Sequence, residues 1–358
     1  MNNDLATALG RALRSTRAGD PAAATAYIRT ALSGRTAPMP RAEEPCGPCA
    51  RMAKPAGLQG GMPDFSGLPG MDKLPGMGSL PGMADLPGRN SGRKAPVPDG
   101  ATVSWRKIAG RDVRLFIPSE RAGGPVGLVL MLHGCTQSPE DFALGTRMDQ
   151  AAEAAGYAVA YPGQTGAQNM QSCWNWFRAQ DQGPDAGEPA ILASIAREIS
   201  AELNVEGRVF AAGLSAGGAM AAVLAETHPD LFVAVGVHSG IPAGAASDMV
   251  SAFSAMRGER AGRPLRRPGI VFHGTADGTV SPANAKALIQ GNGVETRDGR
   301  GARSWSRLTT EDGSELWLID GAGHAWSGGD AAGSYADATG PDASAEMIRF
   351  FGEVVARG

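Results

Sequence analysis

A chain of 358 residues with 42% hydrophobic content is long enough to bury one large core and still carry extra segments. Its formal net charge of −3 leaves no basic excess with which to hold nucleic acid. No apolar run reaches the roughly 20 residues of a membrane-crossing helix, and the start, Met1 to Ala6, has none of the parts of a secretory signal, so a cytoplasmic address is the default expectation.

Residues 1–34 read as a small helical hairpin. Leu5, Ala8, Leu9, Ala12 and Leu13 fall at helical spacing. Asp20 followed by Pro21 has the pattern of an N-cap and a first-turn proline, and Gly34 stops the second helix. Its apolar face, with Tyr27, Ile28, Ala31 and Leu32, either packs on the main domain or serves as a dimerisation or docking element. Residues 35–98 differ in kind. A Leu-Pro-Gly-Met unit starts at Leu68, Leu74 and Leu80 and fades at Leu86, and each Pro-Gly favours a turn and forbids a continuing helix. This predicts a disordered or loosely turned linker, whose spaced Leu and Met suit contact with a granule or polymer surface. Cys46 and Cys49 form a C-x-x-C pair there, but no second ligand pair follows and no strand precedes it, so neither a zinc site nor a redox helix is expected.

The catalytic domain is expected over 99–358. Residues 103–105 and 111–118 read as an edge strand pair, and 127–134, 157–162, 209–212, 232–239, 269–274 and 315–319 as further strands. Helices are predicted over 140–155, 189–203 and 342–356, with another after Ser215. Alternating strands and helices imply an α/β fold, a mostly parallel central sheet with helices on both faces. Functional residues then belong at the carboxyl ends of strands.

The stretch 208–220 holds Gly213-Leu-Ser-Ala-Gly217 between an apolar strand and an Ala/Met-rich helix. A G-x-S-x-G string is expected about half a time by chance in a chain this rich in glycine, so the strand-turn-helix context carries the weight. That context makes Ser215 a candidate nucleophile. In the α/β-hydrolase order the acid comes next and the histidine last. Asp277 follows a strand in His273-Gly-Thr-Ala-Asp277, and His324, in the Gly-rich loop after the last strand, is the only one of five histidines beyond it. Asp248, Asp298 and Asp312 remain rival acids, though none follows a strand so cleanly. The oxyanion donors expected are the backbone N–H groups of Cys135 and Ala216. His133 and His273 each end a strand before Gly and read as structural or substrate-lining; His228 reads as a helix cap, and His238 as a minor candidate for a pocket role.

Five motifs in order, His133-Gly-Cys-Thr-Gln137, Ser172-Cys-Trp-Asn-Trp-Phe177, the Ser215 turn, the Asp277 segment and Gly323-His-Ala-Trp-Ser-Gly-Gly329, resemble the esterase family of polyhydroxybutyrate depolymerases. Related feruloyl and acetylxylan esterases look similar. The resemblance covers about residues 100–355 and implies an α/β-hydrolase fold, ester hydrolysis through an acyl-enzyme and no cofactor. It carries Ser215, Asp277 and His324 as the triad and Cys135 as an oxyanion donor, and it implies a disulfide between Cys135 and Cys173, which sits better with an extracellular address than with the cytoplasm. Ser327 stands where family members often carry Pro, and neither a further binding domain nor a leader is recognisable, so short oligomers, amorphous polymer or small esters are the expected substrates. Trp174, Trp176 and Trp326 are expected to wall the acyl or alcohol pocket. Two other readings are a feruloyl, acetylxylan or deacetylase-type hydrolase on the same fold, and a non-enzymatic granule-binding protein that uses the linker.

Overall fold

Runs of residues with no polar member lay down the centre of the sheet. In the computed structural model, which describes residues 93–299 and 302–357, ten strands form one sheet. They are β1 (Thr102–Ile108), β2 (Arg111–Ile117), β3 (Gly127–Leu132), β4 (Tyr157–Pro162), β5 (Val209–Leu214), β6 (Phe232–His238), β7 (Gly269–Gly274), β8 (Gly293–Asp298), β9 (Trp305–Thr310) and β10 (Glu315–Ile319). Their spatial order is β1-β2-β4-β3-β5-β6-β7-β10-β9-β8. The middle, from β4 to β10, is parallel. Both margins are antiparallel. Every residue of β3, β4, β5 and β7 is buried, as expected of parallel strands covered on both faces.

Helices supply that cover: α1 (Pro139–Thr146), α2 (Met148–Ala155), α3 (Gly187–Glu202), α4 (Ala216–Thr227), α5 (Met249–Met256), α6 (Ala283–Leu288) and α7 (Ala343–Arg357). The period-2 alternation of strands divides the core. Leu128, Leu130 and Leu132 of β3 share a buried cluster with Leu192, Ile195 and Ile199 of α3 and Met220 and Leu224 of α4. Val129 and Met131, pointing the other way, join Phe142 of α1, Met148 of α2 and Met347, Phe350 and Phe351 of α7. Phe210 of β5 stacks on Phe351 with centroids 4.5 Å apart, fixing α7 under the strand that leads to Ser215.

Three departures from the sequence reading have physical causes. The helix expected over 140–155 is two helices, broken at Arg147, which sits at φ 55°. Gly145, just before the break, is approached so closely by the 329–334 loop that a Cβ on Gly333 would lie 2.3 Å from its Cα. The hairpin β8–β9 was not expected, because β8 is exposed along almost its whole length and carries no apolar alternation. The short helices α5 and α6 were also passed over, and α5 owes its start to a capping box between Asp248 and Ser251.

The N-terminal hairpin, the Leu-Pro-Gly-Met repeats with their expected granule contact, and the Cys46–Cys49 pair lie outside the described residues. From residue 93 the chain already lies on the catalytic body: Ala95 is buried and its N–H donates to Glu140 Oε1 at 2.9 Å. Among the described residues no helix is long and apolar enough to cross a membrane, and no group of three or more His, Cys, Asp or Glu could hold a metal ion.

Candidate active site

Ser215 stands between β5 and α4 with φ 58° and ψ −118°, a strained backbone for a side-chain-bearing residue. Two glycines let the turn close. A Cβ on Gly217 would lie 1.9 Å from Leu132 O, and one on Gly213 2.5 Å from the Gly217 carbonyl carbon. The Ser215 N–H donates to His238 O at 2.9 Å, and its carbonyl accepts from Ala219 at 2.9 Å. The nucleophile position is thus locked by backbone while the side chain projects at the start of α4, where unpaired N–H groups favour negative charge.

On one side of β5 stands β3, followed by His133-Gly134-Cys135. A Cβ on Gly134 would come 3.7 Å from Ser215 Cβ, which places this segment beside the nucleophile. The N–H groups of Cys135 and Ala216 have no backbone partner, so both donors are free. Cys135 is bonded to Cys173, S–S 2.01 Å. Behind the disulfide lies a buried polar hub. Gln164 donates its N–H to His133 Nε2 at 3.1 Å and its Nε2–H to Cys173 O at 3.0 Å. Glu188 accepts from the Asn175 N–H at 2.6 Å and side-chain Nδ2 at 2.7 Å, and also from Gln164. Arg111 donates to Gln164 and lies 3.7 Å from Glu188. Burial pushes the Glu188 carboxyl up against the opposing pull of the Asn175 and Gln164 hydrogen bonds.

On the other side stand β6, β7 and β10, and the candidate acid and base follow β7 and β10. Asp277, just past β7, accepts the N–H groups of Thr279 and Val280 on Oδ1, each at 2.9 Å. Its Oδ2 accepts from His324 Nδ1 at 2.7 Å, so in the neutral ring Nε2 is the unprotonated nitrogen. Oδ2 also lies 3.3 Å from Nε2 of His273, whose principal acceptor is Val280 O at 2.8 Å. Burial opposes ionisation of Asp277, but the hydrogen bonds from His273 and His324 outweigh it and hold the carboxyl far below the usual carboxylate range. The Ser215 hydroxyl and His324 are not hydrogen-bonded to each other; such contacts tighten when substrate is seated.

His238 ties the two elements together. Its carbonyl holds the Ser215 N–H, and its Nε2 accepts the Ser327 N–H at 3.0 Å, three residues past His324. Its ring stacks between Phe272 and Trp326, with centroids at 5.8 and 5.2 Å. Burial, with the neighbouring His273 and His324, pushes its pKa down to about 3, so it stays neutral and Nε2 stays an acceptor. The expected pocket role is therefore corrected: the ring is fully buried and both nitrogens are engaged within the chain.

The expected pocket walls need the same correction. Trp174 and Trp326 are fully buried. Trp326 packs edge-on against Phe142 and donates Nε1–H to Ser344 Oγ at 3.1 Å. Trp174 lies between His133 and the Arg111 guanidinium, with centroid distances of 5.6 and 5.8 Å. Trp176 is 6% exposed and packs on Phe177. His133 donates Nδ1–H to Gly134 O at 2.8 Å and accepts from Gln164 on Nε2, and burial pushes its pKa down to about 4 despite the Gly134 bond. In this structure these four side chains are buried and packed or bonded within the chain, where they support the neighbouring loops. The rival acids are engaged elsewhere: Asp248 caps α5, Asp312 closes the β9–β10 turn, and Asp298 ends β8 at the sheet margin. His228 caps α4.

Comparison with known proteins agrees with this architecture. Residues 112–303 match the family described as Esterase PHB depolymerase. The chain is 32% identical over 186 residues to poly(3-hydroxyalkanoate) depolymerase C of Paucimonas lemoignei, an alignment that spans 46% of this chain and 43% of that one. It is 30% identical over 240 residues to feruloyl esterase B of Neurospora crassa, covering 58% of this chain and 80% of that one. Among solved structures, the acetyl xylan esterase from Aspergillus awamori superposes with a TM-score of 0.59 at 17% identity, covering 70% of this chain and 99% of that one, which shows a shared fold. The chain belongs to the Esterase PHB depolymerase family, a family of carboxylic ester hydrolases on the α/β-hydrolase fold.

Proposed function

We propose that this protein cleaves carboxylic esters through an acyl-serine intermediate, with hydroxyalkanoate oligomers, amorphous polyester or short-chain esters as substrates. The observation that carries the reading is the 2.7 Å bond from His324 Nδ1 to a buried Asp277 carboxylate, formed past strand ends of the same sheet in which β5 leads to a serine in a strained turn. His324 Nε2 takes the Ser215 proton as Oγ attacks the ester carbonyl carbon. The oxyanion that forms is met by the N–H groups of Cys135 and Ala216, which are in place before the reaction starts. Collapse breaks the C–O bond to the alcohol, and His324 returns the proton to the departing alkoxide. Water, deprotonated by the same nitrogen, then attacks the acyl carbon; collapse breaks the C–Oγ bond, and His324 returns the proton to Ser215 Oγ as the acid leaves. Asp277 stays ionised throughout, fixes the ring tautomer and stabilises the imidazolium. No step calls for a cofactor.

Substrate class is a proposal on two supports: the family match and the likeness to a poly(3-hydroxyalkanoate) depolymerase. The alignment with a feruloyl esterase spans more of that relative's length, which favours feruloyl or acetyl esters as the second reading. Initial rates on p-nitrophenyl butyrate, a feruloyl ester and a hydroxybutyrate trimer, measured side by side, separate the two. Ser215→Ala lowers kcat by about 10⁴-fold or more with an unchanged circular dichroism spectrum. Turnover at the wild-type rate in that variant would refute the assignment.

A further inference from the structure

Two residues with left-handed backbone carry hydroxyls that meet across the rim of the site, Thr136 at φ 64° and Tyr335 at φ 53°. Both are pinned from behind. Gln137 accepts the Gly134 N–H on Oε1 at 2.9 Å and donates Nε2–H to Ser334 O at 3.0 Å, so one side chain ties the oxyanion segment to the residue before Tyr335. The Tyr335 carbonyl accepts from the Trp326 N–H at 2.7 Å, two residues past His324. The phenol ring stands edge-on to the His324 imidazole, with centroids 6.5 Å apart at 82°, and its oxygen lies 3.3 Å from Thr136 Oγ1. Thr136 spends its own proton on Cys135 O at 2.6 Å. The Tyr335 O–H is thus left to donate to Thr136 over 3.3 Å, well beyond the usual 2.7–2.8 Å of an O–H···O bond. A weakly engaged donor on a rigid mount, beside the base and one residue from an oxyanion amide, is placed to serve a ligand.

We propose that Tyr335 contacts substrate and sets its leaving-group preference, donating its O–H to an oxygen acceptor carried on the departing alcohol. This rests on the ester-hydrolase reading above and deepens it. His324 must hand its proton to the departing alkoxide, so the alcohol leaves on the imidazole side, which is where the phenol stands. An alcohol with a carbonyl oxygen two carbons from the ester-bearing carbon, as in a 3-hydroxyacyl unit, offers such an acceptor. A plain alkyl alcohol does not.

The test uses two butanoate esters matched in shape, methyl 3-(butanoyloxy)butanoate and hexan-2-yl butanoate, with wild type, Tyr335→Phe and Thr136→Val. Tyr335→Phe keeps the ring against His324 and removes only the donor. Wild type is expected to prefer the carbonyl-bearing ester by about tenfold in kcat/KM, the worth of one hydrogen bond. Tyr335→Phe erases that preference and leaves hexan-2-yl butanoate within about twofold of wild type. Thr136→Val removes the resting partner of the phenol and the bond to Cys135 O but leaves the phenol itself, so the ratio of rates on the two esters is retained. A preference that survives Tyr335→Phe, or equal losses on both esters, overturns the proposal in favour of a packing role. Wild type cleaving both esters without preference overturns it alone; wild type cleaving neither overturns the hydrolase reading as well.

Discussion

The two flanks of Ser215 are held by different physics. The β3 flank, which carries the proposed oxyanion donor, is cross-linked by Cys135–Cys173 and backed by the buried hub of Arg111, Gln164, Asn175 and Glu188. Among the described residues the β7–β10 flank has no covalent cross-link and rests on hydrogen bonds and ring stacking around His238 and Asp277. Amides that meet a developing charge work best when they need no reorganisation. A base that must take a proton from one atom and deliver it to another needs small displacements. The covalent link stands on the first flank, and the second is held by hydrogen bonds and stacking alone.

Substitutions on each flank break the contrast in graded steps. Asp277→Asn leaves the backbone contacts of the acid loop in place but removes the carboxylate that selects the His324 tautomer, and kcat is expected to fall about 10⁴-fold with KM little changed. His238→Leu keeps bulk between Phe272 and Trp326 but deletes the acceptor for the Ser327 N–H; a base displaced by a fraction of an ångström costs about 10²-fold in kcat. His238→Gln, which can accept the same bond, recovers part of that loss, and full activity in His238→Leu would show that the base loop stands without it. Cys173→Ala tests the cross-linked flank. The hub still holds the loop, so kcat drops only about tenfold, while closure of a 38-residue separation predicts a stability loss of about 2–4 kcal/mol by urea titration.

A pH signature reads stability alone and leaves the two flanks intact. His133 and His238 have folded pKa values of about 4 and about 3, below the ordinary value of 6.5. Between those limits the unfolded chain binds their protons and the folded chain does not, so stability falls as pH drops below about 6.5 and is unaffected by them above it. Unfolding near pH 5 is expected to take up about two protons from this pair, a slope of roughly 2.7 kcal/mol per pH unit. Asp277, with its lowered pKa, acts in the same direction in a lower window. Its stabilisation is complete above about pH 4 and is lost as pH falls toward its folded value. A flat stability profile from pH 6.5 to 4.5 would contradict both buried histidines.

What could be read from the residues, and what could not, divides along the range of the interactions. Gly213, Gly217 and the strands before Ser215, Asp277 and His324 are local signals, because a turn that tolerates no Cβ and a mostly apolar run announce themselves within a few positions. Arg111 and Gln164 are 53 residues apart, and His238 and Ser327 are 89 apart, so nothing local marks them as partners. The tryptophans misled for a related reason. Trp326 neighbours His324 in sequence, but its ring turns inward onto Phe142 and His238, a choice made by the far side of the sheet. The hairpin at β8 was invisible because its strand is exposed and has no apolar face to write into the sequence.

That hairpin has a practical use. Strands β6, β7, β10 and β9 separate β8 from β5, a distance of about 24 Å at ordinary strand spacing. Glu295 and Arg297 project there into solvent, on a margin that the chemistry never visits. A dye, an affinity handle or a linkage to a solid support attached at these positions would leave the mouth of the site open to an ester substrate, and the enzyme could be watched or immobilised without being blinded.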